Sequence, residues 1–186
     1  MSENEIVTGF CDMIFRERQS NKVFPTVFFD KYEADLLEIT KAGYSYEYEI
    51  KVSKSDFKND SKKTCGYLCT SDTNFEKVPQ YKIDTLKNGE RVNYFYYLVP
   101  KDLIKLEEVP EYAGLIYIEF RECSYFSHEK GSYTKLKMFC QTVKAAPKLS
   151  KEKFSEKKLL KCLESTYYRF HGLRKKLSEP QNAFFS

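Results

Sequence analysis

Asp35, Glu49 and Lys51 carry the side chains from which a hydrolytic site could be assembled. Two carboxylates offer hard oxygen ligands to a divalent cation, and such an ion polarises a phosphoryl oxygen and activates water. An ammonium beside them supplies positive charge where negative charge develops. The three meet only if local elements set them on one surface. Residues 44–52, YSYEYEIKV, alternate with period two. They read as a strand with Glu47, Glu49 and Lys51 on one face and Tyr46, Tyr48, Ile50 and Val52 on the other. Residues 32–40, YEADLLEIT, read as the preceding strand, in which Asp35 shares a face with Leu37 and Ile39. Lys41-Ala42-Gly43 fits a three-residue hairpin loop with glycine in the left-handed position. A turn centred on Ala42 sets Asp35 opposite Glu49, Cβ atoms roughly 4.5–5.5 Å apart, unless a bulge slips the register by one. Carboxylates facing each other repel, so this arrangement calls for a cation between them. Lys51 stands about 7 Å farther along the face than Glu49. The competing reading of Glu-x-Lys is a salt-bridge pattern on a solvent-facing strand.

The elements that must hold this hairpin are partly legible. Residues 3–19 read as a helix, with Ile6, Phe10, Met13 and Ile14 on one stripe and Ser2 and Glu5 as a capping box. Glu17 falls in the middle of that stripe if the helix runs on, where an unpaired carboxylate is costly. If the helix ends before Arg16, Glu17 is solvated. Pro25 marks a connector. Ser53 caps a short helix, with Asp56 three residues on. Residues 61–91 are polar and aperiodic and read as a long loop or small insertion. Strands follow at 92–99, stopped by Pro100, and at 113–120 and 133–143, and a long helix spans 150–177. One α/β domain over 1–186, a mixed sheet with a C-terminal helix, follows from this order.

Composition narrows the class. In 186 residues, 41% are hydrophobic and 31% charged, which excludes a disordered or collagen-like chain. No apolar run reaches the roughly 18–20 residues of a membrane span, and no signal-peptide core follows the acidic start. The expected setting is cytoplasmic, with no membrane partner. The six Cys include one close pair, Cys65 and Cys69, too few for a structural zinc site with only His128 and His171 elsewhere. Residues 148–176 hold ten Lys or Arg against three Glu, although the whole chain carries only +4. That basic segment is either a solvated helix face or a contact for an anionic partner.

The run EADLLEITKAGYSYEYEIKVSKSDFKND resembles the PD-(D/E)XK nuclease superfamily: an Asp, a gap, then Glu-x-Lys on the next strand. Within it, EIKVSKSDFKND is similar to the corresponding signature of MmcB-type DNA-repair nucleases and related phage proteins. NYFYYLVPKDLI and VPEYAGLIYIEF resemble the two following strands, and VKAAPKLSKEK the basic closing segment. The resemblance implies a restriction-endonuclease-like core, a central mixed β-sheet flanked by helices. It implies Asp35 and Glu49 as metal ligands with the Ile50 carbonyl as a third, Lys51 as the catalytic lysine, and Glu17 as the candidate carboxylate of the first helix. Mg2+ or Mn2+ is the implied cofactor and DNA the implied partner. Lys54, Lys58 and Lys63, and then Lys151, Lys153, Lys157 and Lys158, are the candidate phosphate contacts. The expected function is metal-dependent hydrolysis of DNA phosphodiesters in repair, recombination or phage DNA processing. The alternatives are a non-catalytic nucleic-acid-binding protein or a protein-interaction module on the same fold. A homodimer is left open.

Overall fold

The computed structural model describes residues 1–69, 77–129 and 131–178, without the side chains of 66–69, 77 and 78. Helix α1 (Glu3–Glu17) opens on the expected capping box: Ser2 Oγ accepts from the Glu5 N–H, and the Glu5 carboxylate accepts from the Ser2 N–H. Strands β1 (Lys22–Phe29), β2 (Tyr32–Ile39) and β3 (Ser45–Ile50) form an antiparallel meander. Helix α2 (Lys54–Asp60) starts at Ser53, whose hydroxyl accepts from the Asp56 N–H. Then come β4 (Thr64–Cys69) and β5 (Lys77–Tyr81), paired as a separate hairpin, and helix α3 (Lys82–Lys87). Strand β6 (Tyr94–Pro100), a 3-10 turn (Leu106–Glu108), β7 (Gly114–Ser127), β8 (Gly131–Lys144) and α4 (Glu156–Ser178) complete the chain.

Six strands make one mixed sheet in the order β1-β2-β3-β6-β7-β8, with β3–β6 and β6–β7 parallel and the other pairs antiparallel. Helices flank the sheet and α4 closes the chain, so the fold is α/β as expected. Among the described residues no helix is long and apolar enough to cross a membrane. The alternation of β3 divides the interior in two. Tyr48 and Ile50, with Leu36, Leu98, Ile116 and Ile118, pack under Ile6, Phe10 and Ile14 of α1. Leu37, Ile39, Phe95, Tyr97 and Val99 face the other way and pack with Leu86, Phe57, Phe154 and Leu159. Glu47, Glu49 and Lys51 project to that second side.

Several elements depart from the sequence reading. Pro25 lies within β1, paired with Leu36, and not in a connector. β1 is an edge strand, where a missing N–H is tolerated. Residues 61–91 hold a hairpin and α3, because their apolar residues Ile83 and Leu86 pack on the core at a spacing too short to show periodicity. Residues 70–76 of that segment lie outside the described residues. Pro100 is the last paired residue of β6 and not a stop before it. β7 and β8 run on past the sheet as a two-stranded ribbon, since from Glu119 onward β7 pairs with β8 alone. α4 begins at Glu156, where the Ser155 hydroxyl accepts from the Lys158 N–H, six residues later than the apolar pattern suggested.

Candidate carboxylate–lysine site

The β2–β3 ladder pairs Leu36 with Tyr48 and Leu37 with Glu47, the register of a turn centred on Ala42. Gly43 takes φ +85 there, the left-handed position that glycine adopts without strain. Continued by one residue, this register sets Asp35 opposite Glu49. The backbone ladder stops short of that pair, and the Asp35 carboxylate instead accepts the Ile50 N–H at 2.8 Å. A strand residue's N–H and C=O point to the same edge, so the Ile50 carbonyl faces the Asp35 side as well. On the other edge the β1–β2 ladder skips the position opposite Asp35, where Thr26 adopts φ 48. A β-branched residue in that region is strained, and such strain concentrates at functional sites. Asp35 is thus released from the ladder on both sides.

Glu49 and Lys51 are buried, 2% and 1% exposed. Lys51 Nζ donates to Glu49 Oε1 at 2.7 Å and lies 3.0 Å from Asp60 Oδ1 and 3.6 Å from Asp56. Lys63 Nζ reaches the same two oxygens, at 3.0 Å on Glu49 and 3.2 Å on Asp60. Lys82, at the start of α3, donates to Glu49 Oε2 and stands 3.7 Å from Glu47 Oε1. Tyr97 Oη donates to the second oxygen of Asp60 at 2.8 Å. Glu47 is held from its other side by Arg91, whose Nε lies 2.6 Å from Oε2. Four carboxylates and four cations therefore interlock beneath α2 and α3.

The electrostatics set the two facing carboxylates apart. Burial pushes the Asp35 carboxyl up to about 7, with the Glu49 charge adding to it and the Ile50 N–H, Lys82 and Lys51 opposing. Burial acts on Glu49 in the same sense. The ammoniums of Lys82, Lys51 and Lys63 outweigh it and hold that carboxyl well below the ordinary range. Lys63 and Lys82 are raised in turn, because the Glu49 charge outweighs their own desolvation. One member of the pair is thus poised to titrate near neutrality while the other stays ionised.

The donor set suits a hard divalent ion: Asp35 and Glu49 offer carboxylate oxygens, the Ile50 carbonyl faces the same edge, and Glu47 Oε1 is buried with no hydrogen-bond partner among the described residues. Among the described residues no three His, Cys, Asp or Glu side chains stand close enough to hold a metal by themselves. Both oxygens of Glu49 are engaged by ammoniums, so ion binding there requires Lys82 to give way.

The structure brings together Asp35, Glu49, Lys51 and Lys63 of the residues read from the sequence. It does not bring in Glu17. That residue ends α1 on the opposite side of the sheet and is exposed, near Cys140 of β8. The next residue, Arg18, turns in to pair with buried Glu38 at 3.0 Å and fixes the helix end there. Lys54 and Lys58 are on the exposed side of α2. Lys151, Lys153 and Lys157 are exposed near the start of α4. Lys158 is not available as a phosphate contact: its ammonium binds the Glu90 carbonyl at 2.7 Å and Asp30 at 3.0 Å. The sequence reading missed Lys82, Asp60 and Arg91. The only signal for them was indirect: Asp35, Glu47 and Glu49 on one inward face require cations from somewhere.

No protein-family model matches the chain, and no curated protein matches it. It is similar in structure to the SPO1766 protein of unknown function from Silicibacter pomeroyi. The TM-score is 0.54, with 13% identity over 100% of this chain and 99% of that one. At that identity the likeness is one of fold.

Proposed function

We propose that this chain is a metal-dependent DNA nuclease of the PD-(D/E)XK kind, taking Mg2+ or Mn2+. The observation that carries the reading is the meeting of Asp35, Glu49 and Lys51 on one face of the β2–β3 hairpin, at the edge where Asp35 leaves the ladder. A divalent ion bound there supplies Lewis acidity at a phosphoryl oxygen and lowers the pKa of a bound water. In this reading Asp35 and Glu49 are its ligands with the Ile50 carbonyl, and the Lys51 ammonium offsets charge developing on the phosphate. Asp60 and Asp56 orient Lys51 from behind. The test is a cleavage screen over single-stranded, duplex and branched DNA, with Mg2+ or Mn2+ against chelator. Cleavage that survives exhaustive chelation rules out the two-carboxylate site.

The saturation of Glu49 by three ammoniums favours a second reading, a non-catalytic nucleic-acid-binding protein in which Lys82 stands permanently where a metal would. Lys82→Met separates the two. Under the nuclease reading it should raise Mn2+ affinity by about tenfold or more and enlarge the melting-temperature gain on adding Mn2+. An unchanged melting temperature with and without Mn2+, in both wild type and variant, favours the second.

Either reading uses the exposed lysines to neutralise DNA phosphates. The triple change of Lys151, Lys153 and Lys157 to Gln should weaken DNA binding about equally across sequences. It should also flatten the slope of log affinity against log salt by roughly 0.9 for each phosphate left without its lysine. Lys158 is kept, because its loss would release Asp30. An unchanged slope removes the segment from the DNA surface.

A further inference from the structure

Helix α4 docks on β1 by one side only. Leu159 and Cys162 pack on the core, Ser165 Oγ accepts the Phe28 N–H, and Arg169 pairs with Glu33. Roughly 115° round the helix from that side, at about 100° per residue, lies a second apolar row that nothing among the described residues covers. Leu160, Leu163, Tyr167, Phe170 and Leu177 are 57%, 50%, 63%, 63% and 87% exposed. With Arg174 they fall at alternating steps of three and four, the spacing of a coiled-coil seam. Scattered apolar residues on a surface need no explanation, but a continuous row over five turns of helix does. Beyond Arg169 the helix runs on to Ser178 exposed on nearly all sides, and an unsupported helix of that length is marginal in water.

We propose that this seam pairs with the α4 seam of a second copy of the chain, antiparallel, across a two-fold axis between Tyr167 and Phe170. The occupant is argued from self-complementarity. In the antiparallel register Leu160 meets Leu177 of the other copy, Leu163 meets Arg174, and Tyr167 meets Phe170, so each of these three layers occurs twice by symmetry. The one charged seam residue, Arg174, comes level with Leu163 of the second copy and beside its Glu164, which forms no salt bridge among the described residues. Lys175 and Lys176 project away from the seam, as does Lys161, and Arg169 is paired with Glu33, so two helices of the same charge can approach. The ten apolar seam side chains of a pair bury roughly the 1,000 Å2 of a specific but modest interface. A dimer in the micromolar range is expected. The pairing uses none of the residues of the carboxylate–lysine site and stands or falls apart from the nuclease reading.

The experiment is sedimentation equilibrium on the full chain, up to roughly 100 µM, a range that resolves micromolar association. Wild type should dimerise. Leu163→Glu with Phe170→Glu should be monomeric at every concentration, with a circular-dichroism melt that matches wild type at dilutions where wild type is itself monomeric, because both side chains are exposed in the monomer. Arg174→Glu should weaken the dimer about tenfold or more by setting two Glu side by side, and adding Glu164→Arg to it should restore most of the loss. A monomeric wild type would hand the seam to another occupant, a different protein's helix or an anionic membrane, and overturn the proposal. So would a Leu163→Glu/Phe170→Glu variant that stays dimeric, or a charge swap that fails to restore association.

Discussion

Under the nuclease reading, Asp35→Asn should cost DNA cleavage a factor of roughly 10²–10³ or more, the scale set by removing one charge-stabilising group from a catalytic centre. The same change should not destabilise the fold, and above neutral pH it should stabilise it. Folding raises the Asp35 carboxyl from 3.8 to about 7, so the folded chain binds the proton more tightly than the unfolded chain does. Between about pH 4 and pH 7 the unfolded state is ionised while the folded state is not, and stability falls as pH rises across that window. Above it the whole cost of the buried charge is felt. Asn carries no charge at any of these pH values. Wild type and variant should therefore melt alike near pH 4, and the variant should melt several degrees higher at pH 8, at about 2–4 °C for each kcal/mol in a chain of this length. Thermal melts of both proteins across pH 4–8 check it. A melting temperature lowered at pH 8 would make Asp35 part of a structural ion pair and remove the reason for placing an ion beside it.

Arg91→Leu should be the most destabilising single substitution in the cluster. The guanidinium donates to Glu47, to the Phe29 carbonyl at 2.7 Å and to the Tyr32 carbonyl at 3.1 Å. It is also clamped between the Phe29 and Tyr32 rings, 3.8 Å and 3.3 Å from their centroids. Leucine leaves Glu47 fully buried with only Lys82 nearby, at 3.7 Å. Breaking a buried pair from one side costs about 3–5 kcal/mol, because the surviving charge is stranded. At 2–4 °C per kcal/mol that is a fall of roughly 10 °C or more. The exposed pair of Arg121 and Glu119 is the control, since a surface pair contributes at most about 1 kcal/mol. Adding Glu47→Leu to Arg91→Leu should recover much of the loss, since both charges then leave together. Lys should not replace Arg91, having no planar fork to reach a carboxylate and two carbonyls at once. Chemical denaturation of wild type, Arg91→Leu, Glu47→Leu and the double variant would measure the coupling directly. An Arg91→Leu cost near that of the Arg121 control would mean that water reaches Glu47.

The parts of this molecule legible in the sequence are those decided by neighbours within about a dozen residues. The alternation of YEYEIK assigns Glu47, Glu49 and Lys51 to one side and Tyr46, Tyr48 and Ile50 to the other, since a strand has no other way to place successive side chains. Lys41-Ala42-Gly43 sets the register that brings Asp35 level with Glu49, because the turn and the side-chain period leave one pairing with Leu37 and Ile39 inward. Ser2 and Ser53 mark helix starts through hydrogen bonds three residues long. Tertiary structure alone decided the rest. Glu17 satisfied the periodicity of its helix and still lies across the sheet from the site, because periodicity gives a face but not the layer that face covers. Lys63, Lys82 and Arg91 come from a stretch with no pattern of its own, and they are drawn inward by carboxylates 14, 33 and 44 residues earlier in the chain. A buried charge has to be met by an opposite charge within a few ångströms, but nothing in that requirement specifies where along the chain the partner must come from.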